Sequence, residues 1–420
     1  MTAPTFDVEP DALDPTLYVR GVAHETFQWL RDNDPVHWDE RNRIWVVSKY
    51  EDVVAVERQP EIFCSGQGIR PKGGGADDLS IVSLDDPEHA RQRRLVSRAF
   101  TPGRINQMVD HIRDVARGLV DAVASRGACD FVDDIAKPLP LIVIAELLGL
   151  PVEDRGQLGE WSDAMMSAEG VDGDDDPKLQ AAAEAWAAYV SYLVGLMEER
   201  RREPRDDMIS VLLSSADAGE LRFREDELQS RLASGELPMS DLTGDELLTF
   251  CVLLLVAGNE TTRNALSGGI DALSRFPEER AKLVADLSLV NSATEEILRY
   301  VSPVISFSRT VTRDTDLRGR PLRVGDTVLN VYPSANRDAD VFDDPHAFRI
   351  DRSPNLHIAF GTGPHFCLGA NLARTEIRIL LEELFTRLPD IQVAPGAEPQ
   401  RAPNALVTTV DHLPVVFTPS

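Results

Sequence analysis

The spacing of hydrophobic and polar positions changes several times along the chain, and each change marks an element. Residues 36 to 47 alternate around the polar turn Asp39-Glu40-Arg41-Asn42, which predicts a hairpin. Wider spacing predicts helices over about 50–58, 88–99 and 104–126. Leu139 to Leu148 is an apolar run closed by Gly149 and Pro151, a buried helix followed by a stop signal. Helical spacing returns over 153–168 and 178–202, on either side of the acidic stretch Asp172 to Asp176. That stretch and Gly73-Gly74-Gly75 read as surface loops.

Two later helices carry more weight. The pattern predicts one from Thr243 to Arg275, opened by a capping box, Thr243-x-x-Glu246, and closed by Phe276-Pro277. At 1.5 Å per residue it is about 50 Å long, enough to cross a domain. The second is expected to begin at a similar box, Ser292-x-x-Glu295, and to stop at Ser302-Pro303, because the residue before proline resists the helical conformation. Residues 304 to 332 read as β structure, broken at Arg318-Gly319-Arg320-Pro321 and Gly325-Asp326. Irregular chain is expected over 333–356, a helix from near Cys367 to about 387, and a final hairpin ending in Leu413 to Phe417.

Composition narrows the class. With 43% hydrophobic residues in 420, the chain can bury a large core, and no linker or repeat divides it. One unit over residues 1–420 is expected, with 1–20 as a loosely ordered arm. The 43 basic and 70 acidic residues give a net charge of −27, which argues against a nucleic-acid partner or an anionic membrane surface. Met1 to Asp14 is polar and acidic, so neither a secretory leader nor a membrane anchor is expected, and a cytoplasmic location fits. Leu247 to Gly258, the longest apolar run, is too short for a bilayer span. The four cysteines stand far apart with no C-x-x-C pair, which suggests neither a disulfide framework nor a zinc site.

The sharpest chemical signal is Phe360-Gly361-Thr362-Gly363-Pro364-His365-Phe366-Cys367-Leu368-Gly369. A cysteine just before a helix has free N–H groups and the helix dipole to favour its thiolate. Glycines let the preceding backbone take positive φ and turn N–H groups towards sulfur. Gly369 leaves room for a flat macrocycle against the backbone.

This segment resembles the haem-binding loop of the cytochromes P-450, with the pattern Phe, Gly, any, Gly, any, His, any, Cys, any, Gly matched in full. The resemblance runs from about residue 30 to the C-terminus. The wording Asn259-Glu260-Thr261-Thr262-Arg263-Asn264 is similar to that of actinobacterial lipid, sterol and terpenoid hydroxylases. It implies a mainly α fold with small β-sheets, triangular in outline, with haem b between the long helix and the Cys367 helix. Cys367 is then the iron ligand, and its thiolate favours O–O cleavage. Phe360, His365 and Gly369 belong to the same cofactor-binding loop.

The resemblance assigns further roles. His89, Arg93, Arg309 and His365 are implied as partners of the haem propionates; His89 and Arg93 share a helical face at i, i+4. Glu296 and Arg299 match the family's Glu-x-x-Arg, a structural brace. Where many members supply a third basic residue as arginine, this chain has Ala347, and Arg352 is the expected substitute. Ala257-Gly258-Asn259-Glu260-Thr261-Thr262 resembles the oxygen-binding motif. Small residues at Ala257 and Gly258 admit the haem, Thr261 hydrogen-bonds dioxygen, and Glu260 relays protons, as heterolytic O–O cleavage requires. The substrate pocket is implied to draw on 63–84, about 165–185, Val252 to Ala257, Val304 to Phe307 and Asn404 to Val407, including Ile305 and Leu406. The 219–242 segment is longer than the family's usual connection into the long helix.

The implied function is an external monooxygenase that inserts one atom of dioxygen into a small hydrophobic substrate of lipid, sterol or terpenoid type. No flavin or iron–sulfur region is visible, so electrons are expected from a ferredoxin and its reductase. Arg98, Arg104, Arg374 and Arg378 lie in segments implied to face that donor. A peroxide-driven peroxygenase and a non-catalytic haem sensor or carrier are the alternatives. Glu260 and Thr261 argue against the first, and the lack of a regulatory segment against the second.

Overall fold

A computed structural model describes residues 11–19, 23–71, 80–97, 100–168, 176–217 and 244–420. The Gly73–Gly75 loop, most of the acidic stretch, Arg98, Thr243 and the 219–242 segment lie outside the described residues.

The first half of the chain supplies α1 (His24–Asn33), α2 (Tyr50–Glu57), α3 (Glu88–Val96), α4 (Pro102–Ala124), α5 (Pro138–Leu148), α6 (Arg155–Ser167), α7 (Pro177–Arg202) and α8 (Met208–Asp217). Local chemistry sets several of these bounds. Thr101 caps α4 by accepting from Arg104 N, with Pro102 in the first turn. One face of α4 then buries Ile105, Ile112, Ala116, Val120 and Val123. Gly149, left-handed at φ 83°, ends α5 where the sequence predicts it. Asp176 caps α7 through Lys178 N.

The second half supplies α9 (Gly244–Arg275), α10 (Pro277–Ala285), α11 (Val290–Val301), the short α12 (Tyr332–Ala335) and α13 (Ala370–Arg387). The predicted capping box at Ser292 does not form. Ser292 lies inside α11 and its hydroxyl donates to Leu289 O. Asp286 instead caps a 3-10 turn, Leu287–Leu289, that leads into the helix. At the other end Ser302 turns left-handed at φ 47° before Pro303. α9 packs on α5 and α11, and α13 packs on α4. The contact between α9 and α11 is close because of Gly268 and Gly269. A Cβ at Gly268 would lie 2.7 Å from Val301 Cγ1, and one at Gly269 would lie 3.0 Å from Ile297.

The main sheet has the order β1-β2-β8-β5-β3, formed by Val36–Asp39, Ile44–Val47, Thr327–Val331, Ser306–Val311 and Phe63–Cys64. β2 runs parallel to β8, and the other pairings are antiparallel. β6 (Thr315–Leu317) and β7 (Arg320–Leu322) form a separate hairpin. The expected final hairpin belongs to a three-stranded sheet. β10 (Pro414–Val416) pairs with β9 (Gln392–Val393) and also with β4 (Ala128–Asp130), which no local periodicity announces.

The helices bury the largest hydrophobic cluster, and the main sheet a second, with Val36, Val53 and Val328. A third gathers Ala12, Tyr18, Phe27, Leu30 and Ile305. Residues 12 and 18 were expected in a loose arm. They are buried, and Tyr18 donates its hydroxyl to Ala12 O at 2.8 Å.

Candidate active site

A cavity lies between α9 and the segment that enters α13. Ala257, Gly258 and Thr261 line one wall, and Phe360, Cys367 and Gly369 the opposite one. The cysteine loop closes as a 3-10 turn, Gly363–His365, and α13 begins only at Ala370, three residues beyond Cys367. Cys367 N–H donates to Phe360 O at 2.9 Å, pinning the two ends of the loop together. Protein encloses the Cys367 thiol, and the surface it exposes faces the cavity. Burial pushes its pKa up. The Gly369 N–H, the charges of Arg93 and Arg374 and the Ala370 N–H oppose that shift.

Two arginines and two histidines lie along another part of the wall. His89, Arg93, Arg309 and His365 all line the cavity. His89 and His365 stack with ring centroids 4.1 Å apart. Burial, then the neighbouring Arg309, His89 and Arg93, push His365 down to about 2. His89 Nε2 is buried without a partner, and Arg93 donates to Phe366 O. An unpaired imidazole nitrogen beside two arginines, in one cavity with a thiol and apolar side chains, fits a flat iron macrocycle that carries acidic side arms.

Arg309 is already engaged: its Nη2 donates to Glu57 Oε1 at 3.0 Å. Glu57 is a cavity residue that the sequence hides. It sits in the charged run Glu57-Arg58-Gln59, which reads as a solvated helix end. A second overlooked carboxyl is Glu376 on α13, also on the cavity wall, pushed up to about 8 by burial.

On α9, Thr261 lines the cavity and donates its hydroxyl to Ala257 O at 2.8 Å, the back-bond of a mid-helix threonine. Glu260, the residue before it, is not part of the cavity lining and lies beside Asp163 of α6. Arg263 donates to Glu260 Oε2 and also to Asp163 Oδ1 at 3.2 Å, and Asp163 in turn holds Lys137. Glu260 Oε1 is buried and has no partner. Burial raises the Glu260 pKa to about 7, and Arg263 only partly opposes this.

Glu296 and Arg299 lie inside the protein, with Arg299 Nε and Nη2 donating to the carboxylate at 2.7 and 2.8 Å. Arg352 Nε donates to both Glu296 oxygens, at 3.2 and 3.1 Å. Arg299 also reaches the carbonyls of Asn336, Pro345 and Ala347. Thus Ala347 contributes its backbone, and Arg352 supplies the third charge.

Of the expected substrate-pocket residues, Val304 and Phe307 line the cavity, together with Ile81, Phe100, Ile144, Phe250 and Leu254. Ile305, Leu406 and Val407 do not. Ile305 is fully buried and faces the third core cluster, opposite to its neighbour. Leu406 O accepts from Ile305 N at 2.8 Å, and Val407 bridges to Val304, so these two act through backbone pairing. The basic residues expected to meet an electron donor are ion-paired: Arg104 with Asp206, Arg374 with Glu295 and Arg378 with Glu382. No described helix is long and apolar enough to cross a membrane.

The sequence model described as Cytochrome P450 matches residues 171–412. A steroid C26-monooxygenase from Mycolicibacterium smegmatis is 41% identical over 411 residues, covering 98% of this chain and 96% of the relative. A methyl-branched lipid omega-hydroxylase from Mycobacterium tuberculosis is 36% identical, covering 99% and 96%. The crystal structure of CYP109E1 from Bacillus megaterium in complex with testosterone superposes with a TM-score of 0.81 at 36% identity, covering 94% and 97%. Glycine loop, cysteine, long helix and buried brace thus fall in one architecture, and the chain belongs to the cytochrome P450 family of haem-dependent monooxygenases.

Proposed function

We propose that this chain hydroxylates a sterol or a similarly extended apolar lipid, with Cys367 as haem ligand and a ferredoxin as electron source. The observation that carries this reading is the single cavity wall system in which the Cys367 thiol faces Thr261 across apolar side chains. The steroid and lipid hydroxylases among the relatives support the substrate class.

His89, Arg93, Arg309 and His365 would hold the acidic arms of haem b. When bound, haem supplies the dioxygen chemistry, and a thiolate ligand favours O–O cleavage. The residues of the chain supply protons and exclude water. Thr261 Oγ1 keeps an acceptor lone pair towards the cavity while its proton is held by Ala257 O. Glu260, with a pKa of about 7, can hold a proton on its unpartnered Oε1 and release it near neutral pH. Phe250, Leu254 and Phe307 keep the cavity dry and select apolar ligands.

Two measurements test this. The reduced CO complex should show the red-shifted Soret band of a thiolate ligand, and Cys367→His should abolish it. Across a panel of sterols, branched lipids and terpenoids, the low-spin to high-spin shift should be largest for sterols or branched lipids. Retention of the band in Cys367→His, or a response only to small polar compounds, would refute the assignment. Turnover with reduced ferredoxin but not with peroxide alone separates a monooxygenase from a peroxygenase.

A further inference from the structure

Glu57 has no part in the roles described above. It ends α2, is 4% exposed, and shares the cavity wall with Arg309 and Tyr332. Among the described residues, every group hydrogen-bonded to its carboxylate is a donor. Arg309 Nη2 at 3.0 Å, Tyr332 OH at 2.9 Å and Asn330 Nδ2 at 3.2 Å donate to Oε1, and Thr362 N donates to Oε2 at 3.3 Å. An ionised carboxylate only accepts, so this donor set matches the anion. Burial and the adjacent Glu57 push the Tyr332 pKa well up, which keeps the phenol a donor. Arg309 has one further bond, to Ser308 O at 2.8 Å.

The cysteine loop is seated on the same residue. Gly363 has φ +70°, and a Cβ there would lie 2.5 Å from Glu57 O; at Gly361, φ +66°, it would lie 3.1 Å from Glu57 Oε2. Two glycines of the motif therefore let the loop pass against Glu57, with Thr362 N between them bonded to its carboxylate. One side chain thus links α2, β5, β8 and the loop that delivers Cys367.

We infer that Glu57 is a positioning residue that fixes a buried negative charge at the Arg309 edge of the haem pocket and lowers the reduction potential of the bound haem. Its carboxylate shares the Arg309 guanidinium and so weakens its compensation of added negative charge. Reduction brings an electron close to an anion in a low-dielectric interior, which disfavours the ferrous form. The inference rests on the reading that Cys367 and this pocket hold haem.

The experiment is an optical redox titration of substrate-free holoenzyme. Glu57→Gln removes the charge and should shift the midpoint potential upward. Tyr332→Phe removes a donor, leaves the carboxylate less compensated, and should shift it downward. General loosening of the pocket would move both variants the same way. The buried location also predicts that the shifts persist from low to high salt. Opposite shifts in proteins with full haem content support the inference; unchanged potentials, or shifts of one sign, overturn it. If Glu57→Gln purifies without haem, Tyr332→Phe decides alone, with an unchanged or upward potential counting against. The thiolate band of wild-type enzyme tests the haem assignment separately, so the two failures are distinguishable.

Discussion

Two neighbouring helices each carry a buried glutamate three residues before an arginine: Glu260 and Arg263 on α9, Glu296 and Arg299 on α11. The local geometry is the same, since i and i+3 meet on one helical face. Their surroundings differ. Glu296 accepts from Arg299, Arg352, Arg349 N and Asn355 Nδ2, so both of its oxygens are bonded. Glu260 leaves Oε1 bare and shares its arginine with Asp163. A carboxylate with donors on both oxygens works as a brace. A buried one with a divided cation moves towards neutrality and can store a proton. What surrounds the motif, more than the motif, sets the role.

The comparison can be broken most severely at the brace. Arg299→Ala takes from Glu296 its shortest-bonded cation and removes the donor to the carbonyls of Asn336 and Pro345, and removing one partner of a buried pair costs about 3–5 kcal/mol. We expect little folded holoenzyme, read as haem content and as a drop in urea midpoint. Arg263→Ala should cost clearly less, and equal losses would erase the distinction. Next in size, Glu260→Gln should slow the proton-dependent step by about 10²–10⁴-fold with haem content unchanged. Thr261→Ala should instead lower the product formed per reductant consumed, with peroxide or water as the balance. Wild-type rates and full coupling in both variants would remove the relay from this helix.

A smaller effect sharpens the same contrast. Because the folded pKa of Glu260, about 7, exceeds the ordinary glutamate value of 4.5, its favourable contribution is complete below pH 4.5. It is lost as pH rises through about 7. The stability of wild type relative to Glu260→Gln should therefore fall across that window, as urea denaturation at stepped pH would reveal. A flat difference would mean that Glu260 is ionised throughout. Smallest of all, Arg104→Glu combined with Arg378→Glu should leave stability within about 1 kcal/mol, since ion pairs that reach solvent contribute little. It should slow reduction by a ferredoxin at low ionic strength only. An unchanged rate and salt slope would move the docking face elsewhere.

Much of this site was legible in the chain because its chemistry is contiguous. Residues 360–369 and 257–262 carry their spacing on short segments, and Glu296 with Arg299 needs only helical phase. Boundaries marked by Gly149 and by Ser302-Pro303 were legible for the same reason. Features made by distant segments were not. Glu57 looks like any charged helix end until β5, β8 and the loop converge on it. Ile305 was misassigned because adjacent strand residues face opposite sides, so one residue separates a cavity wall from a core. Apolar side chains that fill a core and those that line a pocket are the same residue types. Ser292 has the letters of a cap, but Asp286 starts the helical turn earlier.

The glycine pair at the crossing of α9 and α11 also limits how this enzyme can be remodelled. With a hypothetical methyl at Gly268 already 2.7 Å from Val301, the crossing has no slack. The two helices behave as a welded joint, and Thr261 lies on the same rigid rail, two turns upstream. A library aimed at new ligands should therefore vary Leu253, Leu254 and Val304, which border open space. Positions 268 and 269 should stay untouched, because any added volume there would be relieved by sliding the rail, and the hydroxyl at 261 would move with it.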